Sequence, residues 1–259
     1  MKEAHLFFAP DITSSHALSE EEAAHAVRVL RIKEGDDLWV TDGAGHFYTG
    51  TASPAGSGKH PECYVNIDTE TEWQRPWTSA IHLAVAPTKN MDRIEWMAEK
   101  ATEIGFDALH FLDCANSERR VVKTERIEKI VVSAMKQSHK AVKPLVSELL
   151  RFRDFIAQPF EGDKFIAHCY EQADIVGNDD DNDTLRYDDD DKQKFFLFDV
   201  VRRDVPTLVL IGPEGDFSID EVRAAHAAGF RSITLGESRL RTETAALMAV
   251  AHMNLKKTH

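Results

Sequence analysis

A chain of 259 residues, 42% hydrophobic and 29% charged, has the make-up of an ordinary soluble protein with room for two domains. No apolar run approaches the roughly 20 residues that span a bilayer, and the apolar patch near the N-terminus is too short for a secretory signal. The three cysteines, Cys63, Cys114 and Cys169, show neither CxxC nor Cys/His metal spacing, so the expectation is a cytoplasmic protein without a metal.

Residues 1–72 read as a small, mostly β module. Within it, residues 19–30 predict a helix: Ala23, Ala26, Val27 and Leu30 recur at helical spacing, and Ser19 with Glu22 makes a capping-box signature. Asp42-Gly43 between two short apolar runs signals a hairpin, and Gly56-Ser57-Gly58-Lys59 a further turn. The boundary falls at residues 72–76, where polar residues and Pro76 interrupt the pattern.

A second domain, residues 73–259, changes to alternating strands and helices. Residues 80–86 predict a strand. Residues 91–104 predict a helix with the stripe Ile94, Met97, Ala98, Ala101 and Ile104, stopped by Gly105. A strand follows at 108–112. The helix expected at 124–139 has an apolar stripe of Ile127, Ile130, Val131, Ala134 and Met135, with Arg126, Lys129, Lys136 and Lys140 on its other face. Strands are expected at 164–169 and 194–198, and residues 207–211 form the continuous apolar run of a buried parallel strand. Residues 218–228 predict a helix with the capping box Ser218 and Glu221, ended by Gly229. A short strand at 232–235 and a helix at 242–255 complete the chain. The alternation implies an α/β fold with a parallel sheet.

The net charge of −13 speaks against a nucleic-acid partner only as an average. Eight aspartates crowd between Gly177 and Lys194, which reads as a solvated, disordered insertion. Residues 116–153 carry ten Lys and Arg against four Glu, the local excess that a phosphate backbone requires.

Chemistry concentrates at two glycine-containing turns, each expected between a strand and a helix. The first is Leu210-Ile211-Gly212-Pro213-Glu214-Gly215; the second begins at Leu235-Gly236 and runs through Ser238, Leu240, Arg241, Glu243, Thr244 and Ala245. Such turns let backbone amides approach a small ligand. Neither is a Walker loop or GxGxxG, so a nucleotide phosphate is not the obvious ligand. The plain alternative is a pair of structural connections, with Thr242 an N-cap and Arg241–Glu243 a surface ion pair of little energetic value.

The pattern IGPEGxFSxxE…LGxSRLRTETAA resembles the ribosomal RNA small-subunit methyltransferase E family of the SPOUT superfamily. Three further segments agree: His25-Ala-Val-Arg-Val-Leu-Arg31-Ile-Lys-Glu-Gly35-Asp36, residues 89–105, and Ser133-Ala-Met-Lys-Gln137-Ser. Asp216 stands where the family usually has glycine, and the aspartate block is not a family feature. The resemblance implies a PUA-like RNA-binding β-barrel followed by a domain with a deep trefoil knot, an exception to the unknotted rule. It also implies a homodimer that binds S-adenosylmethionine in the knot and methylates N3 of a uridine in 16S ribosomal RNA of the small subunit.

Under that reading Leu210, Ile211, Gly212, Pro213, Glu214, Gly215, Leu235, Gly236, Ser238, Leu240, Thr244 and Ala245 are the cofactor-binding residues. Uridine N3 is weakly nucleophilic until its proton leaves, so a base or a stabiliser of the uracil anion is needed. Arg241 is the candidate stabiliser, with Glu243 or Glu214 as base. Arg28, Arg31 and Lys33 in the small module would contact RNA phosphates, as would Arg119, Arg120, Arg126, Lys129, Lys136 and Lys140. His25 reads as a core or capping histidine. Two alternatives stay open: another RNA methyltransferase of the superfamily, acting on a ribose 2′-oxygen or a different base, and a non-catalytic RNA-binding assembly factor.

Overall fold

The computed structural model describes residues 5–56, 60–171, 175 and 194–259. The turn expected at 56–59 and the acidic block at 177–194 therefore lie, apart from Gly56 and Lys194, outside the described residues. The chain divides into two compact units, residues 1–75 with 131–143, and residues 76–130 with 144–259.

In the first unit β1 (Leu6–Phe8) pairs parallel with β2 (Asp37–Thr41). β2, β3 (His46–Ala55) and β4 (Glu62–Glu72) continue antiparallel, in the order β1-β2-β3-β4. The β2–β3 hairpin turns where Asp42-Gly43 predicted it, because the Asp42 carboxylate accepts from the amides of Ala44 (2.7 Å) and His46 (3.1 Å). Phe7, Ile12, Leu38, Val40 and Tyr48 fill the core beneath the sheet. α1 (Ile12–Ser15) precedes α2 (Glu20–Ala24).

The single regular helix expected over 19–30 is corrected. After α2 the chain widens into a π turn, His25–Val29, closed by Leu30 N donating to His25 O (3.1 Å). The wider turn buries Ala23 and Ala26 but leaves Val29 exposed, and Arg31 then reverses the chain at φ +57. Only half of the Ser19 capping box forms. Ser19 Oγ accepts from Glu22 N (3.3 Å), while the buried Glu22 carboxylate takes Lys136 instead.

The second unit holds a seven-stranded sheet in which every pairing is parallel. Its strands are β5 (Ile81–Val85), β6 (Ala108–Asp113), β7 (Leu145–Arg151), β8 (Asp163–Ala167), β9 (Phe195–Phe196), β10 (Thr207–Ile211) and β11 (Arg231–Thr234). The order is β7-β6-β5-β10-β8-β11-β9, so the last two strands to leave the chain are inserted between strands laid down earlier. All five residues of β10 are buried, as a central parallel strand requires. Phe152, Phe155, Phe217 and Phe230 are buried in one cluster with Leu208 and Leu210 of β10, each burial contributing roughly 1.5–3 kcal/mol.

Helices α3 (Met91–Ile104), α4 (Thr124–Gln137), α7 (Ile219–Ala227) and α8 (Thr242–Thr258) lie where periodicity predicted them. The short α5 (Phe152–Ile156) and α6 (Leu197–Val200) were not foreseen. In α3, Ile94, Met97, Ala98 and Ala101 are buried, but Ile104 is 36% exposed and leaves the predicted stripe. Two strands differ from expectation. β7 was missed because Leu145-Val-Ser-Glu-Leu-Leu-Arg151 lies within the basic stretch and only Val146 is fully buried. The strand expected at 194–198 stops after two residues: Leu197 turns into the core and Phe198 packs on His252 and Lys256 of α8, which coils the chain into α6.

Candidate active site

The carboxyl ends of β5, β6, β8, β10 and β11 lie along one edge of the parallel sheet, the edge where open α/β sheets bind ligands. Both glycine turns emerge there. Gly212 follows β10, and a Cβ on it would stand 3.1 Å from the Phe217 amide nitrogen and ring, a contact tight enough that the turn would have to give way for any larger residue. Asp216 N then donates to Pro213 O (2.9 Å). Gly236, after β11, sits at φ +130 with open space around the position of a Cβ. Among the described residues, the backbone amides of Glu214, Gly215, Glu237, Ser238, Arg239 and Leu240 have no acceptor in the protein.

The second turn delivers the chain to α8, the longest helix described, and no side chain caps that helix. Arg241, not Thr242, occupies the N-cap position (φ −72, ψ 157); Thr242 is already helical, which corrects its reading as the cap. The first-turn amides of α8 therefore present a partial positive charge at this edge. Arg241 is exposed. Glu243 points the other way: its side chain is 9% exposed, Oε1 lies 3.8 Å from Arg93 Nη1 of α3, and Oε2 is buried with no hydrogen-bond partner. The charged partner of Glu243 is thus Arg93 rather than Arg241. An anion so placed gains from the helix dipole, and Oε2 keeps an acceptor that no protein donor fills.

Asp216, Ser218 and Glu221, together with Asn116 and Tyr170, which the sequence did not single out, brace the first turn. Asp216 adopts φ +64, conformationally suited to the family's glycine, and turns its carboxylate inward. Oδ1 accepts from Phe217 N (2.8 Å) and Oδ2 from Cys169 N (2.7 Å) after β8, so the aspartate ties two strand ends together. Asn116 Nδ2 donates to Gly215 O (3.2 Å) and Asp216 O (3.1 Å). Tyr170 Oη donates to Phe217 O (2.7 Å). Ser218 and Glu221 form the predicted capping box, and Glu221 Oε1 also accepts from Ala115 N (2.8 Å) after β6. The capping box was visible as Ser-x-x-Glu; the long-range halves of these contacts have no local signature.

Burial shapes the titratable groups nearby. His168, at the end of β8, has its pKa held down to about 3 by burial and then by the Lys194 charge, so its ring is neutral; Nε2 is 2.8 Å from Ser232 Oγ. Burial also pushes up the thiols of Cys114 and Cys169, the latter further raised by Asp216. Neither thiol is set up as a thiolate nucleophile.

The basic residues are distributed as follows. Arg28, Arg31 and Lys33 are exposed in the first unit, and Lys136 there pairs with Glu22. In the second unit Arg126 pairs with Glu95 (2.7 Å), Arg120 with Asp113, and Arg119 donates to Lys89 O. Lys129 is exposed and Lys140 half-buried.

A parallel α/β sheet with two open-amide turns at its carboxyl edge, together with a separate small β unit, defines a two-unit α/β protein whose turns stand where open α/β sheets bind ligands. The chain belongs to the family described as RNA methyltransferase domain, whose model matches residues 75–254. An RNA methyltransferase PUA domain matches residues 18–57. Among solved structures, a probable rRNA-methyltransferase from Porphyromonas gingivalis is 39% identical, with 98% of each chain covered and a TM-score of 0.82. The ribosomal RNA small subunit methyltransferase E of Neisseria gonorrhoeae, solved bound to S-adenosyl methionine, is 25% identical, with 98% of each chain covered and a TM-score of 0.74. The protein of the same name from Rickettsia conorii is 25% identical over 93% of this chain and 90% of its own length.

Proposed function

We propose that the chain is a ribosomal RNA small-subunit methyltransferase of the E type, transferring a methyl group from S-adenosylmethionine to N3 of a uridine in 16S ribosomal RNA. The observation that carries this reading is the pair of turns at 210–215 and 235–241, with unengaged amides beside the uncapped start of α8. The residues suit the cofactor. Adenine and the carboxylate of the methionine part call for backbone donors, which these turns supply, and Gly236 leaves open space beside them. The absence of a Walker or GxGxxG sequence matches a cofactor without phosphates.

When bound, S-adenosylmethionine supplies an electrophilic methyl group on a sulfonium. The protein's task is then to orient the base and to relieve N3 of its proton. Arg241 is exposed at the mouth of the second turn and would stabilise the negative charge that spreads onto the uracil carbonyl oxygens. The candidate acceptors for the N3 proton are Glu243, which is buried beside Arg93 and would have to turn toward the base, and Glu214, which already accepts from Lys89 N (3.0 Å). Arg28, Arg31 and Lys33, with Arg119, Arg120, Arg126, Lys129, Lys136 and Lys140, are proposed to meet RNA phosphates, directly or on release from their partners within the protein. The same reading carries a homodimer, a cytoplasmic location and a knotted chain path, whose ingredient is the late insertion of β10 and β11.

Mass mapping of small-subunit rRNA from a strain lacking the gene tests the substrate. One N3-methyluridine is expected to disappear and to return with the wild-type gene; an unchanged modification map would remove the assignment.

A further inference from the structure

The backbone of Lys89, which follows β5, is gripped on both sides of its Cα. Its N–H donates to Glu214 Oε1 of the first turn (3.0 Å). Its carbonyl accepts two hydrogen bonds from Arg119, Nε at 3.1 Å and Nη2 at 2.9 Å. The Lys89 ammonium meets Glu118, the neighbour of Arg119, at 2.9 Å. The same loop after β6 reaches the first turn directly, through Asn116 on Gly215 O and Asp216 O. Three strand ends are thereby joined in one circuit: β6 through Asn116 and Arg119, β5 through Lys89, and β10 through Glu214 and Gly215.

We propose that Arg119 is a positioning residue for the cofactor turn: by holding the Lys89 carbonyl it fixes the backbone of the residue whose N–H, one peptide earlier, anchors Glu214, and so sets the amides of Glu214 and Gly215 for their ligand. This rests on the reading of those turns as an S-adenosylmethionine site. A guanidinium suits the task, since its planar fork places two donors on one carbonyl while a lysine offers a single point of contact. Arg119 has a basic side chain in a basic stretch, yet its fork is spent on the protein's own backbone. An Arg that served RNA phosphates alone would have no influence on a cofactor bound in the absence of RNA. An Arg that sets the turn has such influence, and RNA drawing on it would change cofactor affinity through the same circuit.

The test is titration calorimetry of the full-length protein with S-adenosylmethionine, RNA absent, together with hydrogen exchange at residues 86–90. Arg119→Ala is expected to weaken cofactor binding about tenfold, the worth of the lost charge-assisted bonds, and to speed exchange at 86–90 while leaving the melting temperature unchanged. Arg119→Lys should fall between the two, and Arg151→Ala, which removes an exposed partner of Asp154 elsewhere, should match wild type. Wild-type cofactor affinity in Arg119→Ala overturns the positioning role, whatever that variant does to RNA binding. A wild-type protein that binds no S-adenosylmethionine overturns the cofactor reading itself, and the role in binding falls with it, even where exchange at 86–90 still responds to Arg119→Ala.

Discussion

Lys257, near the end of α8, carries its ammonium into a site with no exposed surface and donates to Ser79 Oγ (2.6 Å), Arg202 O (3.2 Å) and Val205 O. It joins the last helix to the segments that precede β5 and β10. Lys257→Ala would leave those acceptors without their charged donor in a dry site, so a loss of about 2–4 kcal/mol is expected in urea unfolding; a loss below about 0.5 kcal/mol would show that the contact is not structural. Catalysis is a different residue-scale matter. Arg241 is exposed and caps nothing with its side chain, so Arg241→Ala should leave the melting temperature intact while lowering kcat by roughly a hundredfold or more, as for other lost stabilisers of developing charge. Turnover at the wild-type rate in that variant removes its assigned role. Arg241 stood out in the sequence because it follows a glycine turn, whereas Arg93 did not: its meaning comes only from α3 packing beside α8, a contact that no local pattern encodes.

At the scale of elements, what the sequence made legible and what it hid separate by range. α3, α7 and the β2–β3 hairpin were readable because the α3 stripe with its Gly105 stop, the Ser218–Glu221 capping box and Asp42-Gly43 are all local patterns. β7 and the shortened β9 were not, since each is an outer strand whose limits depend on neighbours far along the chain. The strands also bury histidines. His110 on β6 lies 3.0 Å from Ser147 Oγ of β7 and 3.2 Å from His82 Nδ1 of β5, and burial followed by the His82 charge holds its pKa down to about 4. His168 on the β8 end is held to about 3. Both folded values lie below the ordinary 6.5, so the unfolded chain binds the extra protons. Their contribution to stability is complete above pH 6.5 and is lost as pH falls from 6.5 toward 4 and 3. The melting temperature is expected to drop between pH 7.5 and pH 5, and the double variant His110→Gln with His168→Gln should flatten that drop. An equal slope in the variant would assign the acid sensitivity to other groups.

Across the whole molecule, the strand order imposes a folding problem, because β10 and β11 enter gaps between strands that precede them in the chain. Contacts of such large sequence separation make folding slow. Refolding from denaturant is expected to take on the order of seconds or longer, and submillisecond refolding would contradict a late insertion of residues 207–259. Charge works at this scale too. The protein is acidic overall, yet ten cations gather in residues 116–153, so RNA affinity should fall steeply with added salt. Deleting residues 178–192, which hold the eight aspartates, should leave turnover nearly unchanged. The claim on which the rest depends is that the two turns serve methyl transfer to a uridine base. Its most direct test is incubation of the purified protein with labelled S-adenosylmethionine and small ribosomal subunits lacking the modification, followed by nucleoside analysis. A single N3-methyluridine, absent with Arg241→Ala, is the result predicted; label on a ribose 2′-oxygen, on another base, or nowhere in the rRNA would contradict the account.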